Sequence, residues 1–301
     1  MKEKQINPRK ISAIKDFGCV VPALIFLAIF TYYPIVELFR ISLTDWNLLN
    51  DTWNYVGLKN WKWLFGGSGT KYLWNSLKVT ILYSIGELSI TLIGGMIFAL
   101  IFNRMTNSFA AMRAVVFMPK YVAMSSAAVV FLWILNTDSG ILNYILSAFG
   151  ISAVDWLGNR NTALISVLML TGWRRIGYGM MVYLSAMMGI STDYYEAASL
   201  DGANGIQKFF KITLPMLSPT TLFLFVTTFL SSMKVFQSVD ILTQGGPYRS
   251  TEVFVYNIYR YAMVDMRMDR ASTVGIFFFF LLLIITVATM KISSGNVTYD
   301  S

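Results

Sequence analysis

Six stretches of this chain, near 17–40, 73–102, 113–135, 162–189, 217–241 and 271–291, are each long and apolar enough to cross a bilayer. About 20 residues of helix, at 1.5 Å per residue, cover the roughly 30 Å of hydrocarbon. No water is available there, so a spanning backbone must satisfy its own polar groups as a helix or a closed barrel. Continuous apolar runs of this length select helices. The expected fold is therefore an all-α membrane protein with six transmembrane helices. Composition agrees: 55% of the 301 residues are hydrophobic and only 13% charged, against about 25% charged in soluble domains. The remaining residues leave no room for a large soluble domain. The first apolar run, from Phe17 to about Phe39, exceeds the 7–15 residues of a cleavable signal core, so it is read as a retained span.

Orientation rests on the first flank. Lys2, Lys4, Arg9, Lys10 and Lys15 precede the first span and place it on the cytoplasmic side. Counted over all the loops, that flank included, basic residues divide about evenly between the two sides. With six spans, both termini and the loop 190–216 are then cytoplasmic. The organisation reads as a basic segment 1–16, a membrane domain 17–291 containing that loop, and a cytoplasmic tail 292–301. A net charge of +8 fits anionic membrane lipid better than nucleic acid in such a chain. Trp46, Trp53, Trp61 and Trp63 suit the headgroup level of an outer loop. Residues 136–160 suggest a short helix between Gly140 and Gly150.

The chemistry of an enzyme is missing. Histidine is absent, Cys19 stands alone, and no dense carboxylate cluster offers a nucleophile–base pair or a metal site. No G-x-x-x-x-G-K-[ST] phosphate loop is present, because Gly66 to Lys71 has the wrong spacing. No bound cofactor is expected. If ATP drives this protein, another subunit hydrolyses it.

Residues 196–215 form a polar-rich island between two apolar stretches. Asp193, three before Glu196, suggests a capped helix start. Ala197 and Ala198 present a small surface that a partner can approach. Gly202 allows a positive φ that ends the helix. Ile206, Phe209, Phe210 and Leu214 recur at helical spacing and are expected to bury one face, before Pro215 opens the next span. The island matches E-A-A-x-x-x-G-x(9)-I-x-L-P at Glu196, Ala197, Ala198, Gly202, Ile212, Leu214 and Pro215. This resembles the coupling loop of a binding-protein-dependent ABC importer permease. Pro119, Trp133, Gly140, Asn143 and Leu146, and the run from Asp240 to Pro247 followed by Ser250, Thr251 and Tyr256 to Tyr259, are similar to the carbohydrate-uptake branch, maltose/glycerol-3-phosphate permease-like. The resemblance covers roughly residues 113–290. It departs from the family at 262–270, where the usual Ala-Phe and Gly are missing.

The resemblance implies a non-catalytic permease subunit in a bacterial cytoplasmic membrane. Its loop, between the fourth and fifth spans, would dock an ATPase through Glu196, Ala197, Ala198, Asp201, Gly202, Ile212, Leu214 and Pro215. Implied partners are a second permease in a heterodimer, two ATP-binding subunits that use ATP and Mg, an extracytoplasmic solute-binding protein and a carbohydrate solute. An ion-coupled secondary transporter, with Glu87 and Asp240 as ion sites, is the alternative.

Charges at mid-membrane depth are costly unless they face a cavity or a partner, so they mark the candidate path. Glu87 lies in the second span, Arg174 and Arg175 in the fourth, and Lys234 in the fifth, with Gln237 and Asp240 toward its outer end. Trp173, Tyr178 and Phe236 offer faces for sugar rings, or simply packing. Adjacent helical residues point about 100° apart, so Arg174 and Arg175 are not expected to line one narrow channel. One is expected to meet solute and the other to pair with Glu87 or the second permease; the alternative is that both serve packing. Two guanidiniums suit an anionic solute, yet arginine also bonds neutral hydroxyls, so the solute's charge stays open.

Overall fold

A computed structural model describes residues 8–104 and 106–296, with side chains described from 17 to 291. Lys2 and Lys4 of the basic flank, and residues 297–301 of the tail, lie outside the described residues. The first helices are α1 (Pro8–Leu27), α2 (Tyr33–Ser42), α3 (Lys59–Gly66), α4 (Gly69–Ser89) and α5 (Gly95–Ile101). Next come α6 (Asn107–Phe117), α7 (Met124–Ile134), α8 (Ile141–Ala148), α9 (Ala163–Met187), α10 (Thr192–Leu200) and α11 (Gly205–Lys208). The last are α12 (Leu214–Met216), α13 (Ser218–Ser232), α14 (Gln237–Leu242), α15 (Phe254–Tyr259) and α16 (Met268–Asn296). Among the described residues the only β pairing is an isolated bridge between Thr44 and Tyr55.

Three helical stretches, Phe17–Ser42, Gly69–Ile101 and Met268–Lys291, are long and apolar enough to cross a membrane. Two bent pairs raise the number to five if each is one span. The expected continuous helix at 113–135 is broken: Asn107–Tyr121 and Met124–Ile134 meet at 103°. Pro119 sits in the 3-10 turn Met118–Tyr121, and Val122 and Ala123 are extended. The expected span at 217–241 is also interrupted. Gly205–Met216 meets Ser218–Ser232 at 61°, and Met233–Phe236 leaves the helix before α14. Helix α9 has 25 residues, about 37 Å by rise, but its two arginines dilute its apolar character.

Two compact units divide the described residues, one within 8–69 and 260–279, the other within 70–259 and 280–296. In the first, Asn60 Nδ2 donates to the carbonyls of Ser42 (3.0 Å) and Thr44 (2.7 Å). Asp269, fully buried in the first turn of α16, receives two bonds from Arg267 at 3.0 and 2.6 Å. Its own amide donates to Trp46 O at 2.9 Å. The tryptophans expected at a headgroup layer are engaged locally: Trp63 meets Tyr261 edge-on at 5.4 Å and carries the Arg270 guanidinium at 4.6 Å. Asp45 accepts from the Asn54 amide at 2.6 Å, which holds its carboxyl below the ordinary value of 3.8. With a depressed folded-state value, that contribution is present at neutral pH and is lost as pH falls through it.

In the second unit α9 is the axis. Val167 and Leu170 join a buried cluster with Val79, Tyr83, Ala128 and Val239. Two turns and more further on, Met180, Tyr183 and Leu184 join another with Met96, Ala99 and Leu224. Between the clusters lies the polar stretch around Arg174 and Arg175. The helices touch almost backbone to backbone at one crossing, where a Cβ on Gly179 would stand 2.3 Å from Thr91 O and one on Gly95 2.8 Å from Gly179 C. Thr91 and its neighbours form a π-helical turn, Ile90–Gly94. The extra residue of a π turn re-phases the helix after it, and Gly95 opens that re-phased segment.

Many hydroxyls in these helices bond to their own backbone one turn back. Thr80 donates to Ser76 O at 2.7 Å, Thr171 to Val167 O at 3.0 Å and Thr227 to Phe223 O at 2.8 Å. Bonds between helices are fewer, such as Tyr183 Oη to Thr221 Oγ1 at 3.1 Å and the Phe254 amide to Thr80 Oγ1 at 2.8 Å. The Gly179 crossing yields a prediction. Gly179→Ala is expected to destabilise the detergent-solubilised protein by about 2 kcal/mol or more, because backbone atoms must move. Gly18→Ala, with nothing within 4 Å, is expected to be neutral or stabilising by about 0.5 kcal/mol. Thermal unfolding of the two variants beside the parent checks this.

Candidate functional site

The polar stretch of α9 opens on a cavity of about 270 Å³ lined from α4, α7, α9, α13, α14 and the non-helical link 233–236. Glu87 and Arg175 form its anchor. Arg175 Nε lies 2.9 Å from Glu87 Oε1, with the carboxylate side chain 3% exposed and the arginine 34%. The same guanidinium donates to Ser231 Oγ at 2.8 Å. Of the two partners considered for one arginine, Glu87 is therefore the one that Arg175 takes. Arg174 turns toward the broken pair α6–α7, donating to Lys120 O at 3.2 Å and to Met124 Sδ at 3.5 Å.

Both arginines line the one cavity, although adjacent residues of a helix point about 100° apart. The space is no narrow channel. Met124 at the start of α7 and Ser231, Lys234, Val235 and Phe236 around the end of α13 also border it, and two side chains about 100° apart reach it from the same helix.

Glu87, Lys234 and Gln237 also line the cavity, while Trp173, Tyr178 and Asp240 do not. Trp173 packs on Phe131 at 5.6 Å, and the Tyr178 ring carries Lys120 Nζ at 3.6 Å. Phe236 contributes to the wall and stands edge-on to Tyr259 at 5.1 Å. Tyr83, Thr171, Ser231 and Ser238 line the space too and were not singled out from the sequence. A signal existed: Tyr83 and Thr171 lie four residues before Glu87 and Arg175, hence on the same helical faces.

The loop after α9 is a second candidate. Ser191, not Asp193, caps α10, its hydroxyl accepting from the Asp193 amide at 3.3 Å. Asp193 sits in the first turn, where its charge favours the helix dipole. Gly202 has φ +77°. Its amide reaches Ser199 O (3.1 Å) and that of Ala203 reaches Ala198 O (2.9 Å), the paired bonds of a Schellman ending. Asn204 and Gln207 then cap α11 reciprocally. The π turn Phe209–Thr213, which holds Ile212, leads to Leu214 and Pro215 at the start of α12.

None of the residues of α10 is buried. Glu196, Ala197 and Asp201 are exposed. The face expected to bury through Ile206, Phe209, Phe210 and Leu214 is largely open, with Ile206 72% and Phe210 61% exposed. Helical spacing defines an apolar face but not what covers it: Phe209 packs against the cluster of Met180, Tyr183 and Leu184, while Ile206 and Phe210 stay open. The loop is still tied: Tyr195 Oη and Thr213 Oγ1 are 2.9 Å apart, and Lys208 Nζ donates to Ser199 Oγ at 2.6 Å.

Residues 91–297 match the family described as "Binding-protein-dependent transport system inner membrane component". The "Probable ABC transporter permease protein YurN" of Bacillus subtilis is 33% identical over 276 residues, 90% of this chain and 93% of that protein. The "sn-glycerol-3-phosphate transport system permease protein UgpA" of Agrobacterium fabrum is 29% identical over 287 residues, 95% of this chain and 97% of that one. A chain in the crystal structure of a bacterial ABC transporter involved in the import of the acidic polysaccharide alginate superposes with a TM-score of 0.83 at 25% identity, covering 96% of this chain and 100% of that chain.

The ion pair generates its own test. Glu87→Gln strands the Arg175 charge and is expected to destabilise the protein by about 3 kcal/mol, the low end for a broken buried pair because the arginine is part-exposed. Glu87→Gln combined with Arg175→Gln is expected to recover part of that loss. A double-mutant cycle on thermal unfolding checks it; additive losses would exclude the coupling.

Proposed function

This chain belongs to the family of binding-protein-dependent transport system inner membrane components, and we propose that it supplies half of an alternating-access path through which ATP-driven partners import a sugar or oligosaccharide. The chain is a permease subunit of an ABC importer and is not itself catalytic; ATP hydrolysis belongs to partner subunits. The observation that carries the coupling mechanism is α10, a helix with no buried residue that is tied to the segment entering α13 through Tyr195 and Thr213. An element open to a partner on one side and linked to a membrane helix on the other passes rigid-body motion inward. On this reading the exposed Ile206 and Phe210 are covered by an ATPase, and Glu196, Ala197, Ala198, Asp201, Gly202, Ile212, Leu214 and Pro215 form the docking element.

The topology that accompanies this reading has six spans, with α9 and the two bent pairs each counted as one beside the three apolar helices. Both termini and the loop 190–216 then face the cytoplasm of a bacterial cell. The working assembly contains a second permease in a heterodimer, two ATP-binding subunits using ATP and Mg, and an extracytoplasmic binding protein. The cavity at Glu87, Arg174, Arg175, Lys234 and Gln237 is the solute path within this subunit.

Affinity purification in mild detergent is expected to recover an ATP-binding subunit and a second permease with this chain. Gly202→Val, which forces a β-branched residue into positive φ, is expected to lower solute uptake and solute-stimulated ATP hydrolysis by about tenfold or more, since a strain of 1–2 kcal/mol at the docking element is of that order. Recovery of the chain alone, with uptake surviving ATP depletion under an ion gradient, would overturn the reading in favour of an ion-coupled transporter.

A further inference from the structure

The charges lining the cavity do not balance. Glu87 is engaged by Arg175. Arg174 and Lys234 line the same space, and among the described residues neither has a carboxylate within the 4.0 Å of an ion pair. Asp240, the next acid after Lys234, does not reach the cavity. The bonds Arg174 makes are to a neutral carbonyl and a thioether, and its Nε is buried with no hydrogen-bond partner. Lys234 is an exposed residue and Arg174 a half-buried one, so two positive charges stand at this cavity without a counter-charge. An incoming oxyanion supplies that counter-charge and accepts from both cations.

We propose that the cavity is an anion subsite, in which Arg174 and Lys234 take the carboxylate or phosphate group of an acidic sugar as it crosses the membrane. Arginine's planar fork matches either group, and the lysine adds a mobile point charge. Gln237 serves neighbouring hydroxyls, and the Phe236 ring faces the apolar side of the sugar. Arg175 is a positioning residue, its charge already matched by Glu87. This inference rests on the importer reading above and names the class of solute.

The test uses the complete importer in lipid vesicles, offered trigalacturonate, glycerol 3-phosphate and neutral maltotriose. One of the two oxyanion probes is expected to enter in an ATP-dependent manner, and which one enters separates carboxylate from phosphate. Arg174→Gln with Lys234→Gln is expected to lower its maximal rate about tenfold or more, as for lost hydrogen bonds to charged groups. Arg174→Lys with Lys234→Arg is expected to keep most of it. Uptake of maltotriose in preference to both oxyanions, or acidic uptake unchanged in the neutralised variant, overturns the subsite. ATP-independent uptake that still depends on Arg174 and Lys234 would instead overturn the importer reading and leave the subsite standing.

A second readout needs no transport. In a Cys19→Ser background, Val235→Cys on the cavity wall is expected to react about tenfold or more faster with a sulfonated methanethiosulfonate than with its trimethylammonium counterpart. That preference is expected to vanish when Arg174 and Lys234 are neutralised. Equal rates in the parent would overturn the proposal.

Discussion

The second unit is organised around a pair of opposite charges that would be untenable singly at their depth. Removing Glu87 and Arg175 from water costs several kcal/mol per ion, and their attraction offsets this only when geometry and additional hydrogen bonds are good. Here the contact is 2.9 Å, and Ser231 takes another of the guanidinium's donors. The result is that α4, α9 and α13 are registered to one another at a single level. With that level set, the apolar clusters on either side of it close without choosing a register of their own. The Gly95–Gly179 crossing, where the backbones nearly touch, tolerates no slippage once the pair is made.

Interrupted helices complement this clamp. Proline-bearing residues 118–121 turn α6 into α7 at 103°, and residues 233–236 unwind between α13 and α14. Irregular backbone at membrane depth persists only where protein or a cavity covers its polar groups. The unwound link does line the cavity, through Lys234, Val235 and Phe236. Breaks in two helices thus supply the room that a straight bundle would fill with side chains, and they deliver a cation into it. A helical protein acquires a polar interior here by giving up helix.

Much of this was legible in the sequence, unevenly. Helical class follows from apolar runs too long for anything else, and the charged residues stand out against those runs, which is why Glu87, Arg174, Arg175, Lys234 and Gln237 were found. For Trp173 and Tyr178 the sequence leaves sugar stacking and packing both open, because an aromatic ring in a bundle carries no mark of which way it faces. Hydropathy averages over windows and cannot see a bend. Pro119 was a visible cause for one break, whereas nothing in Met233 to Phe236 marks the other. Local backbone chemistry was easier: Gly202 adopts the positive φ that its place after an alanine-rich helix demands. The fate of Ile206 and Phe210 was not legible, since a periodic apolar face is the same signal whether its cover lies in this chain or in another.

The hydroxyls that bond back to their own helices carry a mechanical consequence. A threonine such as Thr227 or Thr286 keeps its proton within its own turn. Facing surfaces built this way are greased rather than latched, because shifting one past the other breaks no polar bond. Resistance to sliding is then concentrated in a handful of cross-links, among them Tyr183 to Thr221 and Arg175 to Glu87 and Ser231. Motion about such rare pins is stepwise, since each pin is either engaged or released. A bundle of this construction yields in discrete clicks, and the number of clicks is set by how few side chains reach across.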